Sequence, residues 1–191
     1  MLKKFISYYR PHLKLLVFVL TTVVFYTLIE LTLPIFTRKI LNDYIPKGDL
    51  NAVLIISAIM IALISLFAGL HYIVGFYGHM LGTSIENDMR QGAFAKLQKM
   101  SFTYFDKNKT GVIMTRLTSD LHEVAELAHH GIEEVLAVGL MLVLGYVYLI
   151  QLNFWMTTVL FLFTFVQLGT LLFARRNMIK SFRRLRSEHA Q

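Results

Sequence analysis

Residues 105–121 read FDKNKTGVIMTRLTSDL. The stretch is polar, charged and able to form helix, yet it lies between two long apolar runs. A protein that needed only to span a bilayer would join those runs by a short loop. Here the pattern carries both helices far into water and turns them there. That arrangement is expected when something in the cytosol must push on the membrane part.

Composition fixes the class. The chain has 191 residues, 55% hydrophobic and 16% charged, with mean hydropathy +0.56. A soluble domain of this size carries about 25% charged residues. The deficit is concentrated in apolar runs, so the expected environment is a lipid bilayer. There is no cysteine, which excludes a disulfide framework and any thiolate metal site. In a membrane protein, a net charge of +7 and a pI near 9.7 read as positive-inside topology rather than affinity for nucleic acid.

Four spans follow from the apolar runs, at about 13–36, 52–80, 133–152 and 154–174. Each is near or above the ~20 residues that cross the hydrocarbon core. The N-terminal apolar run is too long for a signal peptide and no small-residue cleavage site follows it, so it reads as a retained anchor helix. Sixteen Lys and Arg lie before the first span, between the second and third, or after the fourth; only Arg38, Lys39 and Lys47 lie elsewhere. This bias predicts a multi-pass protein of the plasma membrane with both termini cytoplasmic, residues 1–12 forming a cytoplasmic N-terminal segment. The outer connections are then a loop near 38–51, with Pro46 and Gly48 as turn residues, and a tight turn at Gln151–Asn153.

Beyond Gly82 the apolar positions are Ile85, Met89, Ala93, Leu97 and Met100, one stripe on a charged helix. No proline interrupts 52–100, so this helix can reach on the order of 70 Å. On the return, Ile113, Leu117, Leu121, Val124, Leu127 and Ala128 keep helical spacing. The two extensions, about 82–132, are expected to pack along these stripes with the turn at 105–111 as their tip. There Asp106, Asn108 and Thr110 are turn or N-cap types, Gly111 tolerates strained angles, and a short helix is expected from near Thr110. The residues alone fit an ordinary solvated helical hairpin equally well.

The chain resembles the transmembrane domain of ABC exporters. The likeness runs from YYRPHLKLL through LIELTLPIFTRKILNDYI and SFTYFDKNKTGVIMTRLTSDLHEVAEL to the arginine-rich helix after the fourth span. The family pattern is close to FFD…TGxLxSRLTxDxxxV. Phe105, Asp106, Thr110, Gly111, Arg116, Leu117, Thr118, Asp120 and Val124 match it, while Tyr104, Ile113 and Thr115 are mild departures. The resemblance implies an all-α fold of long helices that form a translocation pathway by alternating access, in 13–191. It implies that the tip is a coupling helix, touching an ATP-binding domain through Lys107, Asn108, Lys109, Thr110, Gly111, Met114, Arg116 and Leu117. Arg116 and Asp120 are then expected to form ion pairs that hold the extensions together. It also implies a second transmembrane half, as homodimer or heterodimer, and an exported substrate of unspecified class.

The family has six spans and an ATP-binding domain. This sequence reads as the first four spans, truncated before the rest. No G-x-x-x-x-G-K-[ST] loop is present, so ATP and Mg belong to a separate ATP-binding domain and this chain is expected to hold no cofactor. The complete protein would be an ATP-hydrolysing translocase. The rival class is a self-contained four-span scaffold or sensor whose hairpin binds a partner. A weaker reading makes the basic tail at 175–186 an anchor for anionic lipid.

Polar residues within spans are candidates for the substrate pathway. Thr22, Tyr26 and Glu30 share a face at i+4 spacing. They either line a cavity or serve packing near the outer boundary. His71 invites a proton-relay reading or a packing one. Gln167, with Phe154, Phe161 and Phe165, reads either as pocket lining or as part of a lipid-facing surface. Ala68, Gly75 and Gly82 fall at heptad spacing, and Gly78–Gly82 is a G-x-x-x-G expected to pack on another helix. His129 and His130 are adjacent and so are expected on different sides of a helix; no metal site is expected.

Overall fold

The computed structural model describes residues 2–188, the side chains of 2–4, 107, 176, 177 and 179–188 excepted. Every described element is helical: α1 (Leu2–Ser7), a 3-10 turn (Arg10–His12), α2 (Leu13–Lys39), α3 (Leu50–Leu97), α4 (Phe102–Lys107), α5 (Thr110–Thr115), α6 (Leu121–Leu152) and α7 (Phe154–Glu188). One π turn extends α2 over Ile40–Tyr44, and another joins α5 to α6 over Arg116–Asp120. Four of the helices are long and apolar enough to cross a membrane. In lipid every backbone polar group must be satisfied within the segment, and continuous helices do this.

The first connection is shorter than the loop expected over 38–51. Helical turns continue to Tyr44, and the chain reverses over 45–49. Gly48 takes φ +69°, the one positive φ among the described residues, and Asp49 then caps α3 by accepting from the Ala52 N–H at 3.0 Å. With no proline after Pro46, α3 runs 48 residues, about 70 Å and more than twice the hydrocarbon thickness. The turn expected at Gln151–Asn153 is a single residue between α6 and α7. Asn153 starts α7, its side chain accepting from the Met156 N–H at 3.1 Å.

Two compact units compose the chain, Met1–Met141 and Leu142–Gln191. The first has two buried clusters. Val19, Val23 and Val74 join α2 to α3, with Leu136 and Ala137 of α6 against them. Tyr9, Leu81, Ile85 and Ala128 form the second, with Leu15, Leu16 and Met89 at its margin. The N-terminal segment therefore docks rather than hangs free. The Tyr9 hydroxyl donates to the Ala128 carbonyl at 2.8 Å, and His12 lies 3.0 Å from Asp88. Burial raises the Tyr9 phenol pKa. In the second unit, Tyr146 packs on Phe161, which meets Phe165 edge-on.

Close approach of α3 to α6 rests on two glycines. Gly78 and Gly82 are buried one turn apart, facing Glu133 and His129, which are also one turn apart on the antiparallel α6. A Cβ at Gly82 would lie 2.5 Å from His129 Nδ1, and one at Gly78 would collide with the Glu133 carboxylate. The expected G-x-x-x-G contact is thus present. The heptad face is not: Ala68 is exposed and Gly75 has nothing near its Cβ position. The buried face instead steps by i+4 and i+3 through Val74, Gly78, Leu81, Gly82 and Ile85, and Gly75 lies about 100° round the helix from Val74.

Gly82→Leu should cost about 1–3 kcal/mol through overpacking against the buried His129 ring. Gly69→Ala, with open space around it, should be neutral or gain up to about 1 kcal/mol from helix propensity. Thermal unfolding of the two variants in detergent checks the contrast.

Candidate functional site

The tip at the far end of the extensions is built from two short helices. Seventeen residues separate Met80 from the end of α3, which places the tip about 25 Å beyond the apolar stretch. After Leu97 the chain leaves the helix through a turn at 98–100, and α4 begins at Phe102. The Asn108 side-chain amide donates to the Tyr104 carbonyl at 2.8 Å and closes the C-terminal end of α4. Extended backbone at Asn108 and Lys109 then redirects the chain, and α5 starts at Thr110 as its sequence predicts. Lys109 occupies the N-cap with no side-chain bond, so the capping expected of Asp106, Asn108 or Thr110 is not used there. Gly111 is helical and unstrained, its Cβ position open.

One face of α5 turns inward and the other outward. Ile113 is buried, whereas Val112 and Met114 are 48% and 54% exposed and Phe102 is 90% exposed. A groove of about 400 Å³ runs beside them, lined by Phe94, Leu97, Phe102, Phe105, Met114 and Leu117 among others. Apolar surface on a polar extension is uncommon unless something covers it. Of the expected contact residues, Asn108, Lys109, Thr110, Gly111, Met114, Arg116 and Leu117 lie together in this tip. The Lys107 side chain lies outside the described residues, as does most of the basic tail beyond Arg175.

The extensions are tied together, but by other groups than Arg116 and Asp120. Both of those are exposed and enter no ion pair among the described residues. Instead Glu86 on α3 pairs with Arg90 one turn on and reaches His122 of α6 at 3.1 Å, while Arg90 Nε donates to the Leu117 carbonyl at 3.2 Å. Glu86 is 13% exposed, so its pairing resists solvent screening better than an exposed pair would. The i+4 spacing of Glu86 and Arg90 was legible in the sequence; their reach to α6 was not.

The polar residues within the spans come together only in part. Thr22 is buried and turns its hydroxyl to the Phe18 carbonyl at 2.9 Å. Tyr26 meets both Phe67 and His71 with ring centroids 5.8 and 5.6 Å away. Glu30 is half-buried and unpaired among the described residues. Gln167 belongs to the second unit, where it lines an open groove with Thr164, Leu168 and Leu171. Sequence reasoning passed over the buried Glu133, and over His79 and Glu126 as neighbours of the buried His129. Glu133 lies one turn beyond His129 at the head of an apolar run, a signal the sequence did carry. Burial lowers the His129 pKa, favouring neutral imidazole.

The family model of the ABC transporter transmembrane region matches residues 16–191. The chain belongs to that family. Among relatives of this transmembrane region, "Uncharacterized ABC transporter ATP-binding protein YwjA" of Bacillus subtilis is 34% identical over 98% of the chain and 33% of its own length. "Uncharacterized ABC transporter ATP-binding protein YknU" of the same organism is 27% identical over 75% of the chain and 24% of its own. An "ATP-dependent lipid A-core flippase" of Haemophilus ducreyi is 28% identical over 71% and 23%. The chain thus spans a third or less of these curated relatives' length.

Asn108→Ala should open the tip by about 0.5–1.5 kcal/mol, the worth of one hydrogen bond. Tryptic cleavage after Lys107 and Lys109 should then accelerate by roughly two- to tenfold. Asp106→Ala, which removes no hydrogen bond or ion pair among the described residues, should leave the rate unchanged.

Proposed function

We propose that this chain is the leading part of the transmembrane domain of an ATP-driven exporter, and that α4 and α5 receive the movement of an ATP-binding domain. The exposed apolar face of α5 carries the reading. Val112 and Met114 stand about 25 Å from the apolar stretch and keep about half of their surface exposed among the described residues. A docking domain would bury them and push on a short helix backed by Ile113 and Leu117. Rigid α3 and α6 would carry that displacement into the membrane, and alternating access would follow from their shift against the remaining helices. The ATP-binding domain lies on the same polypeptide or a separate subunit, and a second transmembrane half completes the pathway.

Orientation follows from charge. The tip, the N-terminal segment and the basic residues after the fourth span share the cytoplasmic side of the plasma membrane, because Lys and Arg concentrate there. The relatives' names are consistent with ATP-driven work by the complete protein, and one of them is named as a lipid flippase. A lipid-class substrate is in keeping with that name. On this reading Tyr26, His71 and Glu30 are the groups of the first unit that would meet it.

Gly111 supplies a clean test. A side chain there meets nothing within 4 Å, so Gly111→Trp should leave folding and unfolding temperature unchanged. In the complete transporter the same substitution should obstruct docking. ATP binding should survive while substrate transport and substrate-stimulated hydrolysis fall by an order of magnitude or more, since ~1.4 kcal/mol is tenfold. Wild-type transport by a normally folded Gly111→Trp protein would sink the assignment of the tip.

A further inference from the structure

We infer that His79 of α3 with Glu126, His129 and His130 of α6 forms a transition-metal site of the zinc class that clips the two helices together. Each of the four offers one ligand atom, and those atoms lie within 4.8 Å of one another. The Glu126 carboxylate reaches two of the histidines, one oxygen 3.7 Å from His79 Nδ1 and the other 3.6 Å from His130 Nε2. Tetrahedral zinc, with bonds of about 2.0–2.2 Å, holds its ligand atoms roughly 3.4 Å apart. These two pairs need to close by a few tenths of an ångström, and the widest pair of the four, at up to 4.8 Å, by no more than about 1.4 Å, within the reach of small side-chain rotations.

His129 is the observation that points to a ligand. It is 2% exposed, and its Nδ1 lies 3.1 Å from the Ala125 carbonyl. Donation from Nδ1 to that carbonyl leaves the lone pair on Nε2, which is buried and has no hydrogen-bond partner among the described residues. A metal-binding histidine is oriented in this way, one ring nitrogen donating to a backbone carbonyl and the other free to coordinate. Its ring centroid lies 4.8 Å from that of His79 and 4.2 Å from that of His130. Adjacent residues on a helix start about 100° apart, so these two rings meet only because both side chains lean back along α6. Gly82 gives the buried ring its room.

The donor set selects the ion. Three imidazoles and one carboxylate suit zinc, or cobalt and nickel in its place. Calcium and magnesium take oxygen ligands and have one such residue here. Four protein ligands fill a tetrahedral shell, which is the form of a structural site rather than a catalytic one. His79 and His130 are 59% and 49% exposed, so an ion has a way in. The clip would sit beside the glycine contact, and it stands whether or not the tip docks an ATP-binding domain.

The test uses the protein without a polyhistidine tag, in detergent, stripped with chelator and titrated with Zn²⁺ or Co²⁺. One metal per chain is expected by elemental analysis, with tetrahedral cobalt absorption bands and a rise in unfolding temperature on addition of Zn²⁺. His79→Ala and His130→Ala, both at exposed positions, should each weaken binding by at least ~10-fold. The double variant should lose the cobalt bands and the thermal shift while keeping the fold by circular dichroism. His122→Ala, an exposed histidine outside the cluster, should bind as the wild type does. Binding well below one ion per chain, or an undiminished cobalt spectrum in the folded double variant, would overturn the site.

Discussion

The contact of α3 with α6 at Gly78 and Gly82 is the constraint on which the first unit depends. A bilayer offers no hydrophobic drive for one apolar helix to prefer another over lipid, so close packing and polar contacts must supply the preference. Two missing side chains on α3 admit two large ones from α6, in register because both pairs are one turn apart. The buried groups around this contact then fall into place. Leu81 and Ile85 meet Ala128 on one side of it, and Val74 meets Leu136 and Ala137 on the other.

The side chains that enter these spaces are polar, which has consequences. Burying imidazole or carboxylate without full hydrogen bonding costs free energy, and both His129 and Glu133 keep an unpartnered atom. An apolar side chain of similar size would pack there at lower cost. Retention of two titratable groups beside the glycines marks this level of the helices as more than a packing contact. Below it, Glu86, Arg90 and His122 join the extensions by charge, and the N-terminal segment covers the junction through Tyr9 and His12. The helices are thus tied at successive heights, as a lever must be if movement at the tip is to reach the membrane.

Much of this was legible in the residues, for identifiable reasons. Thr110 opens α5 because the chain before it holds Asn108 and Lys109, whose extended backbone breaks the helix. Gln151–Asn153 turns tightly because the Asn153 side chain caps the first turn of α7. Other points are ones that local pattern cannot reach. Arg116 and Asp120 have good i+4 spacing, but they fall on a π turn whose outer face meets solvent. Gly111 fits the profile of a strained turn residue, yet the chain reverses before it.

Sequence alone determined the class of the protein, its four apolar helices and the length of α3, because these follow from hydropathy, proline placement and helical rise. It also determined that Gly78 and Gly82 share a face. Which residues would enter that face was decided only by the tertiary structure, since helical periodicity specifies a surface and not its partner. The same holds for His79, Glu126, His129 and His130. They come from two helices, and two of them are neighbours that the helical period places apart; packing and side-chain rotamers bring them to one point.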